Sequence, residues 1–274
     1  MGAPNQVVVF GGFDDIRAPH LRFLEEASRL GDVTVLLWPD ETIRQINGTG
    51  PMFPLAERLY FLNAVRYVSR VVALTPAVDL NTLPSVPGLT PQFWVDGETD
   101  ASEARGRFCR EHGLEYRVLS ASQISGFPAP LPMPSAPGRK KVIATGCYDW
   151  FHSGHVRFTE EASAYGDLYL VVGHDANIRL LKGEGHPRFS QEERRYAVGS
   201  IRFVKEALIS TGNGWLDAEP EIERIKPDAY IVNEDGDRGG KREFCRQRGI
   251  EYTVLKRIPA PGLPPRTSTN LRGF

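Results

Sequence analysis

The chain repeats itself, and no other feature constrains its fold as strongly. Segment 11–32, GGFDDIRAPHLRFLEEASRLGD, lies over segment 146–167, GCYDWFHSGHVRFTEEASAYGD, at a constant offset of 135, with 11 of 22 positions identical. Shared helix propensity alone does not produce that many identities. At an offset of 136 the match continues: Pro51-Met-Phe recurs as Pro187-Arg-Phe, Glu57-Arg58-x-Tyr60 as Glu193-Arg194-x-Tyr196, and Arg66-Tyr-Val as Arg202-Phe-Val. FCREHGLEYRVL at 108–119 recurs as FCRQRGIEYTVL at 244–255, with eight of 12 positions shared. The pattern is that of two diverged copies of one domain, and 274 residues suffice for two ordinary cores.

Residues 126–138, GFPAPLPMPSAPG, hold five prolines, which neither a helix nor a central strand accommodates. They predict a semi-rigid extended linker over 126–139 between copies at 1–125 and 140–274. Within each copy, short β-branched runs alternate with helical patterns. Val7–Phe10, Lys141–Thr145, Leu168–Val172, Ala229–Val232 and Glu251–Leu255 read as strands. His155–Tyr165, Gln191–Phe203 and Gly240–Gly249 read as helices, the second opened by a Ser190/Glu193 capping box. Such alternation implies an α/β fold with two small doubly wound domains, each a parallel sheet covered by helices.

In such a sheet ligands bind beyond the carboxyl ends of the strands, at the first strand-to-helix turn. The second copy places Thr145-Gly-Cys-Tyr-Asp-Trp-Phe-His152-Ser-Gly-His155 there. Gly146 lets a ligand approach the backbone, and two histidines three apart at a helix start sit beside free N–H groups that favour anions. Such a pair can donate hydrogen bonds to a polyphosphate and to the charge building on a transferring phosphorus. A lone HxxH is more often surface decoration; the strand–glycine–helix context and Gly154 tip this one toward function.

These residues resemble the HxGH signature of the cytidylyltransferase-like nucleotidyltransferase superfamily, which includes cytidylyl- and adenylyltransferases. The similarity covers nearly all of 140–272. Asp175-Ala-Asn-Ile-Arg-Leu-Leu-Lys182-Gly183 resembles the family's loop ending in Lys-Gly, Glu193-Arg194 and Arg202-Phe-Val its ERxxxV…RxVDxV helix, and Thr267-Ser268-Thr269-Asn-Leu-Arg272 its closing phosphate-gripping element. The layout, with one good site in two copies, resembles ethanolamine-phosphate cytidylyltransferase. The resemblance implies two tandem Rossmann-like nucleotidyltransferase domains, with His152, His155 and Lys182 catalytic. Thr145, Gly146, Tyr148, Gly154, Arg202, Asn233, Thr267, Ser268, Thr269 and Arg272 are the expected nucleotide-binding set. It also implies transfer of CMP from CTP to a phosphorylated or phosphonate small molecule, with Mg²⁺ held mainly by the triphosphate and pyrophosphate leaving. ATP is the second choice of donor, and a non-catalytic nucleotide sensor is the rival from another class.

Departures mark where the resemblance weakens. Lys205 stands where the family has an aspartate, and Asn233-Glu-Asp-Gly-Asp237 matches no nucleoside loop of a known subfamily. Arg194 and Arg202 could be surface or interface charges, Asp149 and its counterpart Asp14 loop-structuring, and Trp150 and Trp215 packing residues. Cys109 and Cys245 occupy equivalent helix positions, a packing signature. The first copy lacks the site: Arg17 stands for His152, Pro19 for Gly154, Asn47 for Lys182 and Leu131-Pro-Met133 for Thr267-Ser-Thr269, while His20 matches His155. Residues 1–125 are therefore expected to be an inactive half of an intramolecular pseudo-dimer, with homo-oligomerisation left open.

A net charge of −1 and a pI near 6.6 argue against a nucleic-acid-binding surface. With no signal-like N-terminus, no apolar run long enough for a bilayer and three cysteines without CxxC spacing, a protein of the reducing cytoplasm with no membrane partner is expected.

Overall fold

The computed structural model describes residues 4–75 and 78–271, without the side chains of Thr269 and Asn270. The chain divides into two units, 1–126 and 127–274. Unit 1 runs β1 (Gln6–Gly11), α1 (Ala18–Ser28), β2 (Asp32–Leu37), α2 (Asp40–Asn47) and α3 (Leu55–Ala64). It continues with β3 (Arg70–Ala73), β4 (Phe93–Gly97), α4 (Glu103–Glu111) and β5 (Glu115–Leu119). Unit 2 runs β6 (Lys141–Gly146), α5 (Ser153–Ser163), β7 (Asp167–Val172), α6 (Asp175–Lys182), α7 (Gln191–Gly199) and β8 (Val204–Ile209). After it come α8 (Glu219–Ile225), β9 (Ala229–Asn233), α9 (Lys241–Arg248), β10 (Glu251–Leu255) and α10 (Ser268–Leu271).

Both sheets have five strands, ordered β3-β2-β1-β4-β5 in unit 1 and β8-β7-β6-β9-β10 in unit 2, and every pair is parallel. The first strand of each unit is central, so its flanks are built by successive crossovers in opposite directions. That opens a crevice at the carboxyl ends of β1/β4 and of β6/β9. The central strands are apolar on both faces, as helix-covered strands must be: Val7, Val8, Val142, Ile143 and Ala144 are all fully buried. The α1 and α5 turns end at Gly31 and Gly166, where a Cβ would lie 2.1 Å from Asn5 O and 2.3 Å from Lys140 O. Only a glycine lets these loops press so closely on the chain entering the central strand.

Three expectations shift. The helix read as Gln191–Phe203 ends at Gly199, and 200–203 turn into β8, because the apolar Ile201 and Val204 are needed in the core. The segment read as a loop ending in Lys182 is helix α6, capped by His174 Nδ1 accepting from the Asn177 N–H (3.2 Å). The proline-rich stretch holds no helix or strand, and it lies along unit 2. Met133 N–H donates to Lys205 O (2.8 Å), Arg139 and Ser135 both engage Asp167, and the Phe127 ring sits 5.8 Å from Tyr196.

The units differ between the third and fourth strands. In unit 2, α8 covers that face with Ile222 and Ile225. In unit 1, an irregular segment with prolines at 84, 87 and 91 covers it through Leu80, Leu83, Val86 and Leu89. Among the described residues no helix is long and apolar enough to cross a membrane.

Candidate functional site

After Gly146 the chain turns sharply into α5. Tyr148 holds a left-handed backbone (φ 53°), as Phe13 does in unit 1 (φ 48°), an arrangement that bulky residues adopt only under constraint. The Tyr148 ring folds back beneath Gly146, where a Cβ would meet it at 2.8 Å. That close approach reserves position 146 for glycine.

The two histidines organise the helix start. The N–H of Gly154 donates to His152 Nδ1 (3.1 Å), and the N–H of His152 donates to His155 Nδ1 (3.3 Å). With both Nδ1 atoms accepting, the proton of each neutral ring resides on Nε2. The rings stack with centroids 4.0 Å apart, and Phe151 stacks on His155 at 5.3 Å. Burial holds the His155 pKa well below the usual histidine range, and the nearby His152, Arg257 and Lys182 charges push the same way. His155 is thus a neutral donor beside helix N–H groups. A Cβ on Gly154 would meet His152 Cε1 at 2.9 Å, so the small residue between the histidines is a packing requirement.

These groups line a cavity of about 630 Å³ in the crevice at the ends of β6 and β9. Of the expected residues, Thr145, Gly146, Tyr148, His152, Gly154, His155, Lys182, Asn233, Thr267 and Ser268 all line it. Lys182 is the exposed last residue of α6. Thr145 Oγ1 shares a hydrogen bond with the Tyr230 hydroxyl (2.7 Å), and Ser268 Oγ donates to Trp150 O (3.2 Å), tying α10 to the turn. The Thr269 side chain and Arg272 lie outside the described residues. Arg202 is not brought to the site: it is exposed in the turn before β8, at the amino ends of the strands, whereas the cavity lies at their carboxyl ends.

Arg194 takes a part different from a surface charge. It is 1% exposed, and its guanidinium donates to Phe189 O (2.9 Å), Cys147 O (2.7 Å), Gly173 O (2.8 Å) and Asp175 Oδ1 (2.6 Å). It thereby pins the turns after β6 and β7 to the start of α6. Arg58 makes the equivalent clamp in unit 1, to Phe53 O, Gly12 O, Trp38 O and Asp40 Oδ1. Asp149 Oδ1 accepts from the Arg188 and Phe189 N–H groups, and Asp14 accepts from those of Met52 and Phe53, so these aspartates structure loops in both units. Trp150, Cys109 and Cys245 are buried, in keeping with packing roles, whereas Trp215 is 45% exposed and lines the cavity.

Lys241 escaped the sequence reading. It is buried at the start of α9, lines the cavity, and reaches Gly236 O (3.3 Å) and Thr145 Oγ1 (3.5 Å). Burial lowers its pKa, partly offset by Asp217. Its counterpart at offset 136 is Arg105, so recurrence of a cation was the signal available. Among the described residues no three His, Cys, Asp or Glu side chains cluster as metal ligands.

A cytidylyltransferase-like family model matches residues 143–263, within unit 2. An FAD synthase of Ferroglobus placidus is 38% identical over 120 residues, which is 43% of this chain and 75% of that protein. The bifunctional protein HldE of Campylobacter curvus is 26% identical over 215 residues, 77% of this chain but 42% of that protein, so the chain spans less than half of this relative. The crystal structure of a lipopolysaccharide core biosynthesis protein from Thermoplasma volcanium superposes with a TM-score of 0.38 at 22% identity, covering 45% of this chain and 99% of that one. The matched segment carries the stacked histidines and most of the cavity they line, and the chain belongs to the cytidylyltransferase-like nucleotidyltransferase superfamily.

Proposed function

We propose that unit 2 transfers a nucleotidyl group from a nucleoside triphosphate to a small molecule bearing a phosphate or phosphonate, releasing pyrophosphate. The observation that carries this reading is the stacked His152–His155 pair at the N-terminus of α5, in one cavity with Lys182, Thr267 and Ser268. An acceptor phosphate oxygen attacks the α-phosphorus in line. The new P–O bond forms as the bond to the β-phosphate bridging oxygen breaks, so no covalent enzyme intermediate is required. The two Nε2–H donors stabilise charge on the α-phosphoryl oxygens. Lys182 neutralises the α/β region, and the hydroxyls of Thr267 and Ser268 hold the outer phosphates. Lys241, sequestered beside Thr145, is a second cation for an anionic substrate group. Mg²⁺ bound to the triphosphate would supply further charge neutralisation.

Sequence alone put CTP ahead of ATP. A relative named FAD synthase reverses that order, because FAD contains an AMP half, and adenylyl transfer is now the preferred reading. Pyrophosphate release across the four triphosphates, with phospho-alcohols, phosphosugars and phosphonates as acceptors, tests it. ATP should support turnover best; preference for CTP would restore the cytidylyl reading, and no release with any pair would remove enzymatic activity. His155→Ala and Lys182→Ala should each lower kcat by about 10²–10³-fold while the fold persists.

A further inference from the structure

Unit 1 has a cavity of its own at the equivalent place, with different chemistry. It encloses about 340 Å³ at the carboxyl ends of β1 and β4, beside the start of α1, a volume in the range of small-molecule pockets. Phe10, Phe13, Phe23 and Trp38 line it. At the repeat offsets Phe10 replaces Thr145, Trp38 replaces Gly173, Asp96 replaces Val232 and Asn47 replaces Lys182. The exchanges remove a hydroxyl and a cation, and add aromatic surface and a carboxylate.

No lysine or arginine lines this cavity to meet a polyphosphate. Residues 1–126 contain no lysine, and 15 Asp and Glu against 11 Arg. The nearby arginines are engaged: Arg105 holds Asp96 (2.8 Å) and Leu80 O (2.8 Å), Arg17 pairs with Asp15 (2.6 Å), and Arg58 is closed in its clamp. A triphosphate would enter a site of the wrong sign.

Three polar groups remain among the aromatic walls. Asp96 is buried, with Arg105 and Tyr116 (2.7 Å) on Oδ2 and, among the described residues, the Trp94 indole (3.1 Å) on Oδ1, where a carboxylate oxygen can accept more than one bond. His20 Nδ1 accepts from the Arg17 N–H (3.1 Å), so its Nε2 carries a proton to donate. Trp38 Nε1 is buried and has no acceptor among the described residues, which is rare for an N–H inside a folded protein.

We propose that this cavity binds the base of an uncharged nucleoside. Flat aromatic walls suit a planar heterocycle, and two N–H donors with one carboxylate acceptor match ring nitrogens, keto groups and exocyclic amines. The absence of a spare cation excludes the phosphorylated forms. The position in the fold supports a base over other planar rings, and this last support rests on reading unit 2 as a nucleotide site.

Gly97 offers a way to block the cavity. It lines it at the end of β4, and a Cβ there meets nothing within 4 Å, so Gly97→Leu adds bulk in open space. The full chain, Gly97→Leu and Trp38→Phe would be titrated calorimetrically with adenosine, guanosine, cytidine and uridine, with and without saturating ATP. At least one nucleoside should bind saturably in the presence of ATP. Gly97→Leu should weaken that binding at least about tenfold, and Trp38→Phe, which keeps the wall but loses the donor, about threefold or more. Pyrophosphate release should be unchanged in Gly97→Leu. Absence of saturable binding, displacement by ATP, or unchanged binding in both variants would overturn the proposal. Failure of the unit 2 reading looks different: no pyrophosphate release, with nucleoside binding intact.

Discussion

His155 is held as a neutral ring, by burial first and then by the neighbouring charges of His152, Arg257 and Lys182. The unfolded chain binds a proton near pH 6.5 that the folded chain refuses, so this contribution to stability is complete above about pH 6.5 and is lost as the pH falls toward the folded value. Denaturation from about pH 7.5 to 5 should show the decline, shallower in His155→Gln. Some slope will remain from His20, whose pKa is also lowered by desolvation. At this scale spacing and the strand–glycine–helix context singled out His152 and His155, and only the family resemblance singled out Lys182. The sequence could not mark Arg194, whose four acceptors include three backbone carbonyls, two of them on turns 21 and 47 residues away. Carbonyl acceptors leave no trace in side-chain identity, so a buried clamp and a surface charge read alike.

At the scale of elements, strands and helices were legible because period and caps agree, as in Ser190 before α7, whose hydroxyl accepts from the Glu193 N–H (3.2 Å). The boundary at Gly199 was not, since apolar residues continue past it into β8. The Arg194 clamp joins three such elements, so Arg194→Ala should destabilise unit 2 by about 3 kcal/mol, the lower end for a broken buried pair because Asp175 is 34% exposed. Chemical denaturation would read this, and a loss under about 1 kcal/mol would mean that the turns hold without it. Gly166→Ala should cost about 1–3 kcal/mol by forcing the loop off Lys140 O, and the equivalent Gly31→Ala should do the same in unit 1.

Over the whole molecule, the repeat predicted two parallel sheets covered by helices, and both are present. It could not predict what fills a gap, and the α8 face is covered by a helix in one unit and by proline-broken chain in the other. The proline-rich stretch likewise read as a linker because its composition forbids helix, yet composition does not say what an extended segment lies against. Its contacts to Lys205, Asp167 and Tyr196 make it part of unit 2. A fragment 127–274 should therefore resist denaturant better than 140–274, and equal midpoints would return the segment to linker status. The start of the first helix in each unit shares one bond. His20 makes to the backbone at Arg17 the bond that His155 makes at His152, although unit 1 has neither the first histidine nor the lysine of unit 2. Folding alone is reason enough to keep that ring. In any duplicated chain of this architecture, the second histidine of the signature is therefore a poor fossil of lost chemistry, and a screen for living sites should count the first histidine and the distant lysine instead.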